Sequence, residues 1–138
     1  MFRTNVRFVS SVVTALLGVA SGVTNLVGTR IQPSPLPETI TLPAIATRHV
    51  STIDLETIDA QSYALVQSRI EVTAVTKSYV AQKNLLEQIR LALQYKRGTY
   101  AGVEVVNITR ENSGPDLRDD EKEIFTQAID FLVIFKET

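Results

Sequence analysis

From Arg69 to Lys77 the chain alternates: Ile70, Val72, Ala74 and Thr76 fall on one side, and Arg69, Glu71, Thr73 and Lys77 on the other. Only Val75 intrudes on the polar side. A period of two is the mark of a half-buried strand, so a strand is predicted from about Leu65 to Lys77, with one packed face and one turned to water or a partner. At Ser78 the period lengthens. Val80, Leu85, Leu86, Ile89 and Leu93, with Ala81 and Ala92, form one stripe across from Lys83, Glu87, Arg90 and Gln94. That pattern predicts an amphipathic helix from Ser78 to Tyr95, capped by the Ser78 hydroxyl and ended by Lys96, Arg97 and a C-cap Gly98.

Upstream, Val6, Val9, Val13, Leu16, Leu17 and Ala20 lie opposite Arg7, Ser10, Ser11, Thr14, Gly18 and Ser21, which predicts a two-faced helix from about Thr4 to Ser21. A short strand is expected over Leu26 to Ile31. Pro33, Pro35 and Pro37 exclude helix and central strand, so Gln32 to Pro43 reads as an extended arm with few core contacts. Ala44 to Asp54 alternates Ile45, Thr47, His49 and Ser51 with Ala46, Arg48 and Val50, a strand without a strongly apolar side that pairs along both edges. An acidic turn with Asp54, Glu56 and Asp59 leads to the Leu65 strand. After the long helix, Val103 to Arg110 sets Val103, Val105 and Asn107 against Glu104, Val106 and Ile108, and Glu111 to Glu123 is a polar loop. The apolar run Ile124 to Lys136, with Phe125, Phe131 and Phe135, is the expected central strand. The fold class is α+β, a mixed and mostly antiparallel sheet with two main helices in the order α-β-β-β-α-β-β.

The 138 residues give room for one domain. A formal net charge of −1 argues neither for nucleic acid nor for an acidic tail. Without cysteine, neither disulfides nor thiolate chemistry are available, and packing must supply the stability. No residue between Arg7 and Arg30 is charged. The basic start and the small residues near Ala20 therefore also fit a secretory signal, and Gly18 and Gly22 fit a membrane helix-pair motif. The polar residues along one side favour a packed helix, and the exported or membrane-tethered binding domain stays as the alternative.

No constellation points to catalysis. His49 is the sole histidine, with nothing nearby in sequence to orient it as a general base. Asp116, Asp119, Asp120, Glu121 and Glu123 lack the spacing and central glycine of a calcium loop. Gly18, Gly22 and Gly28 follow no strand and precede no Lys-Ser/Thr, so they make no phosphate loop. Arg90, Lys96 and Arg97 with Tyr95 and Tyr100 form a basic and aromatic group better explained as ordinary helix-end charge. An enzyme is not expected, and no metal or cofactor either. The arm and the acidic loop are long excursions for so small a domain, and assembly is their natural use.

Read in order, Leu26-Val27-Gly28-Thr29-Arg30-Ile31, the Pro-rich arm, Leu42-Pro43-Ala44-Ile45-Ala46, and Arg69-Ile70-Glu71-Val72-Thr73-Ala74 with Ser78, Ala81 and Leu85 resemble the tail terminator (tail completion) family of long-tailed bacteriophages. The likeness runs from Leu16 to the end of the chain. It implies a structural virion protein, assembled in the host cytoplasm, whose copies close as a ring, a hexamer in that family. The ring would cap the tail tube protein, stop polymerisation and offer a surface to a neck or head-completion protein, with DNA passing through the lumen unbound and no membrane involved. A head-completion or neck adaptor is the neighbouring reading. Interface residues are expected on the arm (Pro33, Pro35, Pro37), the exposed face of the Arg69 strand (Arg69, Glu71, Thr73) and the acidic loop (Asp116, Asp119, Asp120).

Overall fold

The computed structural model describes residues 9–55 and 64–137. Three helices, α1 (Val9–Val19), α2 (Ser21–Val27) and α3 (Tyr79–Leu93), accompany seven strands. These are β1 (Ile31–Pro33), β2 (Ala44–Leu55), β3 (Ala64–Thr76), β4 (Gly98–Tyr100), β5 (Val103–Ser113), β6 (Leu117–Asp119) and β7 (Ile124–Glu137). The α+β class and the mixed, mostly antiparallel sheet stand as expected. The sheet order is β1-β2-β3-β7-β5-β4, with β6 also on β7, and only the β1–β2 pair is parallel. The Thr4 helix start, the residues Val6 and Arg7, and the acidic turn with Glu56 and Asp59 lie outside the described residues.

The apolar run 124–136 is central, as its composition suggested: β7 pairs with β3 along Ala64–Thr76 and with β5 on its other side. Ile129, Phe131, Val133 and Phe135 all point to the helix layer and are buried there with Val66, Ile70, Val72 and Ala74 of β3. Each of these side chains apart from Ala74 contributes roughly 1.5–3 kcal/mol when fully buried. The helices bring Val9, Val12, Val13, Leu16 and Leu17 from α1 and Leu85, Leu86, Ile89 and Leu93 from α3 to the same core.

Several boundaries differ from the sequence expectation. The first helix breaks at Ala20, whose backbone is extended, and α2 leaves α1 at 87°. Leu26 and Val27 are therefore the last turn of α2 and not the start of a strand. Val23 and Val27, one turn apart, are both buried, and the turn closes on Gly28 at φ 60. Gly22 lies against the Gln88 side chain of α3, whose amide end would have to move aside for a β-carbon. Among the described residues no single helix is long and apolar enough to cross a membrane; α1 and α2 reach that length only as the bent pair.

Ser78 caps α3 as expected, its hydroxyl accepting from Ala81 N at 3.1 Å. The helix ends earlier than Gly98. Gln94 is the C-cap, Tyr95 takes the left-handed conformation at φ 66, and Gly98 already belongs to β4. Val80, assigned to the apolar stripe, is 67% exposed because the helical turn of about 100° per residue points it away from Ile89, to the polar side with Lys83 and Glu87.

Two strands change face midway. A bulge at Val50 lets His49 oppose Ile70 while Ser51 opposes Arg69, so Ser51 moves to the side opposite His49. A bulge at Val106 likewise brings Ile108 into line with Val103 and Val105, all three buried. One extra residue inverts every later side chain, which strict alternation cannot foresee. The polar stretch 111–123 is also less of a loop than expected: it holds the end of β5 and all of β6.

Candidate interaction surfaces

With α1 and α3 on one face of the sheet, the opposite face is open except at one end. Parallel neighbours cannot be joined by a tight hairpin, so the chain between β1 and β2 must cross over a face of the sheet. The helices occupy one face and the Pro-rich segment crosses the other. Ser34 N donates to Thr47 O (2.8 Å) at its start, and Arg30 Nε donates to Pro43 O (3.0 Å) at its end. Ser34–Leu42 then arch over Ala46, Thr73, Val75 and Ile124, forming with them an open cleft of about 470 Å3. The sequence reading of an arm with few core contacts is corrected here: Ala44, Ile45, Ala46 and Thr47 form a continuous buried run, covered by helices on one side and by the crossover on the other. Val75, the apolar intruder on a polar face, is one of the residues under that arch.

Beyond the arch the open face is held by charge pairs. Arg48 meets Glu71 at 3.0 Å, Arg69 bridges Glu111 (2.6 Å) and Asp130 (3.3 Å), and Lys136 meets Glu104 at 3.1 Å. Glu71 and Asp130 are directly opposed across β3 and β7, and like charges at that spacing repel unless cations sit between them. Arg48 and Arg69 supply those cations. Thr73 lies on the same face, at the rim of the arch.

The remaining expected interface residues separate. Asp116 turns to the helix side, where Lys83 Nζ reaches its Oδ1 at 2.6 Å and Gln127 Oε1 at 2.7 Å. Asp119 is used locally, its Oδ1 accepting from Glu121 N and Lys122 N, and Asp120 pairs with Arg118 at 2.8 Å. Pro33, at the end of β1, and Pro35 and Pro37 on the crossover are exposed, and the latter two also line the cleft beneath it. The structure thus joins Arg69, Glu71 and Thr73 with the arm prolines on one face, and sends the three aspartates elsewhere. Among the described residues no group of three or more His, Asp or Glu side chains could hold a metal ion.

His49 Nε2 lies 2.6 Å from Thr52 Oγ1, which lies 2.9 Å from Ser68 Oγ, a short polar chain bridging β2 and β3 near the sheet edge. Arg90 is engaged along its own helix, with Glu87 and Gln94. Hydrogen bonding from Arg90 holds the Glu87 carboxyl below its ordinary pKa, and Glu87 raises that of Arg90 in turn. Sequence reasoning missed Gln82, a fully buried helix residue whose amide has no hydrogen-bond partner among the described residues. It also missed the covering of Ala44 and Ala46, although two alanines at alternate positions were a signal that something packs closely there.

No family model matches this chain, and no curated protein does either. Eleven chains of solved structures match its fold. One belongs to the virion of a native gene transfer agent particle: it aligns with a TM-score of 0.74 at 12% sequence identity, covering 96% of this chain and 99% of its own length. At that identity the likeness establishes a shared fold.

Proposed function

We propose that this chain is a structural virion protein of a phage-like particle, and that its copies close into a ring that caps the tail tube and joins it to the neck. The observation that carries the reading is the fold likeness to a chain of a gene transfer agent virion, which covers 96% of this chain and 99% of that one. The order of motifs that resembles tail terminators, from Leu26 to the Arg69 strand, supports the narrower assignment. A head-to-tail contact between identical copies closes into a ring when its rotation divides a full turn. The exposed Pro33, Pro35 and Pro37 and the tip residues Asp119 and Asp120 are available for neighbouring virion proteins, while Arg69, Glu71 and Thr73 line the open face.

The test is mass and position. Purified protein, alone and with its tail tube protein, should scatter light as a hexamer, and imaging of the particle should find it as one ring at the head-proximal end of the tube. A protein that stays monomeric in both conditions overturns the ring. A twelve-fold ring against the portal would make it a neck adaptor.

A further inference from the structure

Two stretches of sheet edge have no strand beside them among the described residues. β1 covers β2 only at Ile45–Thr47, leaving Arg48 to Leu55 bare. On the far side β4 covers β5 only at Val103–Val105, leaving Val106 to Ser113 bare. Soluble proteins usually keep such edges short or blunt them with proline, charged side chains or bulges. These stretches lack proline and lysine; they carry Arg48, Asp54, Arg110, Glu111 and bulges, and among them apolar side chains stay in reach of solvent: Val50, Ile53 and Val106 are 44%, 53% and 38% exposed.

The two edges match in direction, height and shape. Three antiparallel pairings separate β2 from β5, so the two strands run in opposite senses. Following the register across the sheet, Ile53 is level with Gln67, Ile134 and Asn107, and Arg48 with Glu71, Asp130 and Asn112. The bare edges therefore overlap over most of their length. β1 projects beyond one edge at its lower end and β4 beyond the other at its upper end. An offset of about two residues, set by strand geometry, lets each projection clear the neighbouring copy.

We propose that the partner of each bare edge is a second copy of this chain: β5 of one subunit pairs antiparallel with β2 of the next, continuing one sheet around the ring. The inference rests on the ring reading and specifies its contact. The contact is head-to-tail, joining two different surfaces, as ring closure requires. The bulges at Val50, Val106 and Glu111 add twist and bend at the contacting strands, which a closed sheet needs. The two-helix layer is the bulkier side of each subunit, the crossover covering only one end of the other face, so the proposed ring has the helices outside and the charge-paired face inside. The lumen is then lined by the paired charges of Arg48, Glu71, Arg69, Asp130 and Glu111, a surface whose cations are already neutralised and which gives DNA no free cationic track.

The chain has no cysteine, so introduced thiols are unique. Ile53→Cys and Thr109→Cys chains, treated with a short bismaleimide, should each remain monomeric on a denaturing gel, whereas their mixture should give a cross-linked dimer. The chain carrying both substitutions should give a ladder that ends at the closed ring. A complementary variant, Ile53→Lys, places a charge on the edge and should shift the native mass from ring to monomer with an unchanged circular dichroism spectrum. A wild-type ring with no cross-link in the mixture, or one that withstands Ile53→Lys, overturns edge pairing while leaving the ring intact. Cross-linking of Ile53→Cys to itself overturns it in favour of a two-fold contact. A wild-type monomer overturns the ring reading itself.

Discussion

At the scale of single residues, position in the fold outweighs type. Val80 and Leu86 are both apolar members of one helix, yet Leu86 is 7% exposed against the sheet while Val80 lies in water. Leu86→Asp buries an unpaired charge and is expected to cost about 4 kcal/mol or more, enough to prevent folding, whereas Val80→Asp should stay within about 0.5 kcal/mol of the parent. Urea denaturation followed by circular dichroism separates the two; equal midpoints would mean that α3 does not pack as described. At about 100° per residue Val80 points away from Ile89, so the helical period, followed strictly, separates it from Leu86, and its apolar character alone grouped it with the stripe. Gln82 and Tyr95 were illegible for a different reason. A buried amide without a partner among the described residues, and a tyrosine held at φ 66 to turn the chain out of α3, are costs that local sequence preferences argue against and that only surrounding packing can offset.

At the scale of elements, the Pro-rich segment is the instructive case. Its prolines announced an extended conformation, which is present, but not its path. Because β1 and β2 are parallel, the segment had to cross a sheet face, and it became the cover of Ala46, Thr73 and Val75. Excising residues 32–43 is therefore expected to remove β1 pairing, expose that apolar end and lower the urea midpoint sharply or prevent folding. A trimmed chain of parental stability that merely fails to assemble would show that the segment is an accessory arm. The strands themselves were largely legible: β3, β5 and β7 were found within a few residues from alternation and composition. Their bulges were not, since a one-residue insertion leaves no mark in a pattern read with a fixed period.

At the scale of the whole molecule, the sheet has a helical layer on one face, charge pairs and the crossover on the other, and two edges of opposite sense that no strand among the described residues covers over most of their length. A subunit whose edges are completed only by its neighbours gains stability from assembly by mass action. Its thermal midpoint should rise with protein concentration, and that rise should vanish in Ile53→Lys. Differential scanning at several concentrations measures both; a midpoint independent of concentration in the wild type would mean that the folded subunit owes nothing to its neighbours. The expected interface residues divide at this scale. Arg69, Glu71 and Thr73 share the open face with the crossover, whereas Asp116 is tied to α3 and Asp119 and Asp120 to their own turn.

The sequence by itself determined the class of the fold, the helix cap at Ser78, the central strand and the lack of cysteine chemistry, because periodicity, capping and composition are local properties of the chain. Tertiary structure alone decided that β1 and β2 run parallel, that the proline segment crosses over the sheet, and that two edges, uncovered among the described residues, lie level and antiparallel. Those depend on which distant strands pair and in what register, a choice made by the burial of the whole core and carried by no single stretch of residues.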